Sequence, residues 1–253
     1  MHKIIIIGSG NVATHLIQAF SDNETADLIQ VYARKKENLY PFIAAEKIID
    51  NLSDLKEADL YIIAVSDDAI ENIYNQISVQ NKLVVHTSGS FNFQSIANKN
   101  RKGVFYPLQT FSKNKKVDFK TIPICIEAEN ENDYQILEKI AHSVSDKVYK
   151  IDFEQRQALH ISAVFVNNFV NHLYQIGNAI CDKNQIDFEI LKPLIKETAS
   201  KINFLSPEEA QTGPAKRHDF KTIERHLNFI SDENQKNIYQ LLTQSILSNE
   251  EKL

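Results

Sequence analysis

The chain has 253 residues, 43% of them hydrophobic, which is enough to build a core in each of two domains. Its 28 Lys and Arg residues are outnumbered by 33 Asp and Glu residues, so the formal charge of −5 offers no global positive field to nucleic acid. The isoleucine run before Gly8 is too short for a signal-peptide core or a membrane span. We therefore expect a cytoplasmic protein that contacts neither nucleic acid nor membrane. Cys125 and Cys181 lie far apart and predict neither a disulfide nor a metal site.

From residue 1 to about residue 127, short apolar runs alternate with amphipathic stretches, which is typical of a parallel sheet covered by helices. The Ile and Val content of the runs suits strands that are buried on both faces. The predicted strands are Lys3–Gly8, Leu28–Ala33, Leu60–Val65, Lys82–Thr87, Gly103–Tyr106 and Ile122–Glu127. A helix around Asn132–Ser143 and a short strand at Lys147–Ile151 complete an α/β, doubly wound, mostly parallel Rossmann domain over residues 1–151.

Residues 152–253 predict an all-helical C-terminal domain. No Gly or Pro occurs from Phe153 until Gly177, and apolar residues recur at helical spacing, so one long helix is expected from Phe153 to about Asp182. Its apolar content is too high for a surface helix. Further helices are predicted at Asp187–Ile202, Asp219–Ile230 and Asp232–Asn249, with breaks at Pro207 and at Gly213-Pro214.

The loop Gly8-Ser9-Gly10-Asn11-Val12-Ala13 follows the first predicted strand and opens the helix Val12–Phe20, as a dinucleotide-binding motif requires. Gly8 permits the tight turn, Gly10 lets the main chain approach a pyrophosphate, and the amides at the helix start face the phosphate charge. Ala13 replaces the third glycine of the pattern. A glycine turn without a ligand is the alternative, but two of only six glycines fall here, and the loop predicts a dinucleotide site.

The end of the second strand indicates which dinucleotide binds. The sequence there reads Ala33-Arg34-Lys35-Lys36, with no acid to bind the 2′-hydroxyl of the adenosine ribose. A guanidinium can hold a 2′-phosphate with two hydrogen bonds, so Arg34, together with Lys35 or Lys36, favours NADP over NAD. The alternative is a solvated basic turn.

Two further segments lie at the carboxyl ends of predicted strands, where ligands of α/β sheets bind. Val65 and Ser66 end one strand, and Thr87 and Ser88 end the next; small polar residues there suit a nicotinamide ribose. The two aspartates after Ser66 are interpreted as caps of the following helix. His86 lies at the same edge, where a buried histidine with a backbone partner is the simpler interpretation.

On the long helix, His160 and Asn167 share one face at helical spacing, beside Asn168. His160 is the candidate for proton transfer, since imidazole both donates and accepts a proton near neutral pH. A core or surface histidine is the alternative. The asparagines need hydrogen-bond partners, which could be nicotinamide, substrate or another helix.

Candidate substrate contacts are Gln109, after the Gly103–Tyr106 strand, and Arg217 and His226 in the helical domain. Arg217 could bind an anionic substrate, and His226 could share a helix face with Asp219. The alternatives are a plain turn around Gln109 and a helix start at Asp219, with Asp219 as its cap.

Taken together, these segments resemble a bacterial family that joins a Rossmann-like domain to a helical domain of unknown function. The helical domain of that family is similar to the C-terminal domain of 6-phosphogluconate dehydrogenase and pyrroline-5-carboxylate reductase. The resemblance implies an NADP-linked oxidoreductase fold, dimeric through the long helix, with the active site between the domains. The segments are Gly8–Ala13, Ala58–Leu60, Ala64–Ile70, Val85–Gly89, Tyr106–Phe111, Ala158–His160, Asn167-Asn168, Thr212–Pro214 and Arg217–Asp219.

One departure from better-known relatives bears on the chemistry. If Asn167-Asn168 correspond to the asparagine pair of the 3-hydroxyacid dehydrogenases, their catalytic lysine would fall near Val164, and no lysine is there. The leading hypothesis is therefore a reductase of a small carbonyl or imine substrate, with His160 as acid and Arg217 holding substrate. The alternative is a non-catalytic NADP-binding sensor or scaffold protein.

Overall fold

A computed structural model describes residues 1–21, 23–97, 99–113 and 115–250 of the chain, with side chains described as far as Ser248. Contacts divide the chain into two compact units, the first over Met1–Asn167 and the second beginning at Asn168. The expected division between a cofactor domain and a substrate domain after residue 151 stays a prediction, because it concerns roles rather than contacts.

The first unit is built on one sheet whose strand order, within the described residues, is β3-β2-β1-β4-β5-β6-β7-β8. All neighbouring strands are parallel except β6 and β7. The predicted doubly wound, mostly parallel sheet is confirmed, although the two-residue β3 was not expected. The strands are β1 (His2–Ile7), β2 (Ala26–Tyr32), β3 (Ile48–Ile49), β4 (Leu60–Ile63), β5 (Leu83–His86), β6 (Arg101–Pro107), β7 (Ile124–Ala128) and β8 (Val148–Lys150).

Helices cover both faces of this sheet. They are α1 (Asn11–Phe20), α2 (Asp67–Gln76) and α3 (Glu131–Val144), and α4 (Phe153–Ala163) follows β8. Because side chains alternate along a strand, Ile4 and Ile6 pack on one face with α1 and α3, whereas Ile5 and Ile7 pack on the other with α2. All four isoleucines are fully buried, so the first strand is anchored from both sides and presents its carboxyl end at a fixed position.

The predicted long helix forms, but not as one regular α-helix. Asp152 caps α4 in a reciprocal capping box with Gln155. A π-helical turn at Val164–Phe169 then separates α4 from α5 (Val170–Lys183). A π-turn inserts an extra residue per turn, so the face-sharing of His160 and Asn167, which assumed regular helical spacing, does not apply across it.

The second unit is helical, as predicted. After α5 it contains α6 (Lys192–Lys201), a short α7 (Pro207–Ala210), α8 (Phe220–Phe229) and α9 (Glu233–Glu250). The Asp219 carboxylate caps α8 by accepting from the Thr222 amide at 3.1 Å, which confirms the plainer interpretation of that residue. Among the described helices, none is long and apolar enough to cross a bilayer.

Candidate dinucleotide cleft and proton-transfer site

The turn between β1 and α1 depends on its two glycines for different reasons. Gly8 has a φ of 142°, and a Cβ there would lie 2.1 Å from the Ala64 carbonyl oxygen at the end of β4. Only glycine therefore lets the loop pass β4. A Cβ on Gly10 would meet no atom within 4 Å, because this residue faces open space at the start of α1. Gly10 occupies the N-cap position without a side-chain cap, which leaves the first amides of α1 available to an anion.

A cleft of about 450 Å³ extends from this turn along the carboxyl ends of the neighbouring strands. It brings together most of the predicted cofactor residues. Those that line it are Gly8, Ser9, Gly10, Asn11, Val12, Ala33, Arg34, Val65, Ser66 and Thr87. The cleft also uses a face of α2 that was not predicted, formed by Ala69, Asn72, Ile73 and Gln76. These residues are spaced three, four and seven positions apart, a pattern that places them on one face of a helix and could have indicated this side of the cleft.

The donor set of the cleft fits a phosphorylated dinucleotide. Open amides at the start of α1 suit the pyrophosphate, and Arg34 stands at the end of β2 with no acidic side chain among the described lining residues. Lys36 forms an ion pair with Asp50 at 3.0 Å. Lys35 and Ser88 are not among the lining residues. Their predicted part in binding the cofactor stays a prediction.

The start of α2 corrects one interpretation. Ser66 occupies the N-cap position, and Asp67 and Asp68 lie in the first turn instead of capping the helix. Both carboxylates therefore stabilise α2, because they lie near the positive end of its dipole. The Asp67 carboxylate also accepts from the Ser90 hydroxyl at 2.5 Å, which ties α2 to the loop after β5.

Beyond Thr87, Tyr106 and His160 form a pair of side chains beside the cleft. Of the two, only His160 was predicted as a site residue. The Tyr106 hydroxyl at the end of β6 is 3.1 Å from Nδ1 of His160 on α4. Gly89 packs against both rings, since a Cβ there would lie 2.5 Å from His160 Nδ1 and 2.9 Å from Tyr106 Cζ. Tyr106 stood in a segment that resembled the family, but its partner lies 54 residues away and no local pattern joins them.

A buried arginine fixes this arrangement. Arg156, one turn before His160 on α4, is fully buried and donates to the carbonyl oxygens of Ser88 and Phe91 at 3.1 and 2.9 Å. Its guanidinium also pairs with Glu127 of β7 at 3.1 Å. The loop after β5, strand β7 and helix α4 are thereby held together. Arg156 was not predicted as a site residue, because a charged residue near the start of a helix is expected to be exposed to solvent.

Burial sets the protonation states nearby. Desolvation raises the pKa of the Tyr106 hydroxyl to about 12, so it keeps its proton at neutral pH. Desolvation, reinforced by the Arg156 charge, lowers the pKa of His86 to about 3. His86 Nδ1 accepts from the Ser88 amide at 3.1 Å, which confirms the interpretation of His86 as a buried histidine with a backbone partner.

The remaining predicted residues lie on the π-turn, after β6 and in the second unit. Asn167 and Asn168 are exposed on the π-turn, and Gln109 is exposed after β6. In the second unit Arg217 is exposed, and His226 Nδ1 lies 2.8 Å from the Tyr239 hydroxyl. Their roles toward nicotinamide or substrate stay predictions.

Two family models match the sequence. One, described as NADP oxidoreductase coenzyme F420-dependent, matches residues 3–89. The other, a domain of unknown function (DUF2520), matches residues 122–246. No curated protein matches the sequence.

Several solved structures share the fold. A Bacteroides fragilis protein, provisionally named an NADP oxidoreductase, is 38% identical, with 98% of both chains covered and a TM-score of 0.86. The Plasmodium falciparum pyrroline carboxylate reductase, solved with NADP bound, is 15% identical over 97% of this chain and 98% of its own, with a TM-score of 0.60. An imine reductase variant from Myxococcus stipitatus, solved with NAD⁺, is 12% identical over 100% of this chain and 94% of its own, with a TM-score of 0.59. At these low identities the last two show the fold alone.

The predicted family resemblance and the predicted cofactor are both confirmed by these matches. The Bacteroides protein is similar along nearly its whole length. The family model described as an NADP oxidoreductase matches residues 3–89, the part of the chain that contains the cleft residues. This chain therefore belongs to the same NADP oxidoreductase family as the Bacteroides fragilis protein, with a Rossmann fold followed by a helical domain of unknown function.

Proposed function

We propose that the protein transfers a hydride between NADP(H) and a small carbonyl or imine substrate, with His160 supplying the proton. The observation that carries the proposal is the position of His160. It packs against Gly89, two residues beyond Thr87, where the dinucleotide cleft ends.

The order of the strands supports this assignment. Arg34 stands at the end of β2, the glycine turn follows β1, Ser66 follows β4 and Thr87 follows β5. A dinucleotide with its 2′-phosphate at Arg34 and its pyrophosphate at the glycine turn would extend its nicotinamide toward β5 and β6. Bound there, NADPH supplies a hydride from C4 of its nicotinamide ring.

The protein's own task is then to hold the substrate and provide a proton. As the substrate carbon takes up the hydride, the electron pair of its double bond moves to the carbonyl oxygen or imine nitrogen. That atom takes a proton from His160. No lysine lies between Phe153 and Phe169 to do this instead. The reductases that share the fold favour a carbonyl or imine as the substrate class.

The substrate contacts belong to the same proposal. We assign substrate binding to Gln109, Arg217 and His226, and a part in catalysis to Asn167 and Asn168. Amide, guanidinium and imidazole groups suit a small polar or anionic substrate. A cytoplasmic location is proposed as well.

A homodimer is the remaining part of the proposal. Apolar side chains on α4, the π-turn and α5 are exposed in the isolated chain, including Val166 at 75% and Phe165 at 62%. Others on the same helices are Ile161, Phe169 and Leu173. An apolar surface of this kind marks an interaction site, and we propose that a second copy of the chain covers it.

The reaction is tested by following NADPH consumption with a panel of oxo acids, aldehydes, ketones and cyclic imines. His160→Asn should lower kcat about 100-fold on the best substrate and leave NADPH affinity within twofold, because the residue acts in proton transfer. His142→Asn, on an exposed position of α3, is the matched control and should match the wild type. Absence of turnover with every compound, or full activity in His160→Asn, would contradict the proposal.

A further inference from the structure

The hydrogen bond between Tyr106 and His160 has a consequence for the source of the proton. We propose that Tyr106 is the proton source of the reaction and that His160 is an uncharged relay between Tyr106 and substrate. Because Tyr106 acts through His160, it is a positioning residue for the imidazole as well. The inference rests on the proposed function for its catalytic part, whereas the hydrogen-bonding part concerns the protein alone.

The geometry leaves the two nitrogens of His160 with different surroundings. Nδ1 lies 3.1 Å from the Tyr106 hydroxyl, and the main chain of Gly89 closes over the same edge of the ring. Nε2 lies on the opposite edge of the imidazole. The ring is half-buried and is held on its Nδ1 side, so Nε2 is the nitrogen that we assign to contact with a substrate.

The hydroxyl keeps its proton, because burial raises the pKa of Tyr106 to about 12. It therefore donates to Nδ1, and the proton of the neutral ring resides on Nε2, where it is needed. Other titratable and charged groups around the pair have smaller effects on the Tyr106 pKa. Cys125 of β7 and Asp67 of α2 raise it, and Arg156 of α4 lowers it. Arg156 is itself paired with Glu127, and the buried His86 is uncharged at neutral pH.

The step balances without a charged histidine. As the hydride adds to the substrate carbon, the Nε2–H bond breaks and a new O–H or N–H bond forms on the substrate. At the same time the Tyr106 O–H bond breaks and an Nδ1–H bond forms. The phenolate left behind is favoured by the nearby Arg156 guanidinium and takes a proton from water. His160 exchanges one neutral tautomer for the other.

The relay predicts a distinctive pH profile. In the wild type, kcat should not fall at pH values where a histidine side chain is uncharged, because the proton comes from tyrosine. In Tyr106→Phe only an imidazolium could deliver the proton, so kcat should fall about tenfold per pH unit over those pH values. The KM for NADPH should change less than twofold. Tyr40→Phe, at an exposed position, is the matched control and should keep the wild-type profile.

Gly89→Ala offers a second variant that retains both side chains. The φ of Gly89 lies outside the left-handed region, so an alanine backbone is not strained there, but its Cβ would push the imidazole and the Tyr106 ring out of their present positions. We expect this variant to show the same loss of activity at high pH as Tyr106→Phe. Identical pH profiles in the wild type and Tyr106→Phe would overturn the relay.

A measurement on the resting protein separates this inference from the proposed function. Nitrogen-15 NMR of the labelled histidine rings, with His160 assigned by His160→Gln, reports which nitrogen carries the proton. At pH values where the ring is uncharged we expect Nε2 protonated and Nδ1 bare in the wild type, and a mixture of tautomers in Tyr106→Phe and Gly89→Ala. A protonated Nδ1 in the wild type would overturn the relay whatever the substrate. If no compound of the panel is reduced but the spectrum is as expected, the proposed reaction is wrong and the Tyr106–His160 hydrogen bond stands.

Discussion

Two glycines of one loop serve different purposes, which a pair of variants can separate. Gly8→Ala places a Cβ against the Ala64 carbonyl at a φ that alanine rarely adopts, so it should lower the free energy of unfolding by about 2 kcal/mol or more. Gly10→Ala meets no atom and should fold normally, yet its methyl enters the space a pyrophosphate needs.

Chemical denaturation and NADPH titration check both expectations. Gly10→Ala should retain wild-type stability and lose at least tenfold in NADPH affinity. If Gly10→Ala bound NADPH as well as the wild type, the pyrophosphate could not lie against this loop.

Buried His86 makes stability depend on pH. Its pKa is about 3 in the folded protein, against about 6.5 in an unfolded chain, so the unfolded state binds the extra proton as pH falls below 6.5. Stability contributed by the neutral ring is complete above that pH and is lost below it. Between pH 7 and pH 5 the loss should be about 2 kcal/mol.

Urea unfolding at a series of pH values measures this dependence. His86→Gln should show a shallower fall in the free energy of unfolding over the same range, whatever its stability at pH 7. His142→Gln, at an exposed position, should keep the wild-type slope. Equal slopes in all three proteins would mean that His86 titrates normally in the fold.

At the scale of elements, Arg156 joins α4 to β7 and to the loop after β5. Removing it takes the charged partner from the largely buried Glu127 carboxylate and the guanidinium donor from two carbonyl oxygens. Arg156→Leu should therefore lower the free energy of unfolding by about 3–5 kcal/mol. Arg225→Leu, on an exposed part of α8, should cost less than about 0.5 kcal/mol in the same urea experiment. Equal stability of the two variants would contradict the anchoring role.

Hydrophobic periodicity predicted most elements within a few residues, because burial on two faces forces Ile and Val into runs such as Ile4–Ile7. The two residues of β3 carry too short a pattern to be recognised. The π-turn at Val164–Phe169 has no local signal either, since its sequence is as helix-compatible as the segments around it. The glycine turn was predictable because its chemistry is local. The Tyr106–His160 and Arg156–Glu127 pairs were not, because tertiary packing creates them.

At the scale of the whole molecule, the exposed apolar side chains of the long helical segment predict association. The wild type should sediment as a dimer, and Val166→Glu should sediment as a monomer, because a carboxylate at a side chain that is 75% exposed in the isolated chain would be buried without a partner. Tyr40→Glu, exposed on the first unit, is the control and should remain dimeric. A monomeric wild type at all concentrations would contradict the proposed homodimer.

We propose that the cleft beside Gly8–Val12 holds NADP, with Arg34 at the 2′-phosphate. Calorimetric titration of the wild type and Arg34→Ala with NADPH and NADH tests this placement, with Lys139→Ala at an exposed position of α3 as the control. We predict that the wild type prefers NADPH. We also predict that Arg34→Ala weakens NADPH binding by about 10- to 100-fold, the loss expected for a charge-assisted hydrogen bond, and NADH binding by less than twofold. Equal losses for the two nucleotides, or a wild type that prefers NADH, would contradict the assignment of Arg34 to the 2′-phosphate.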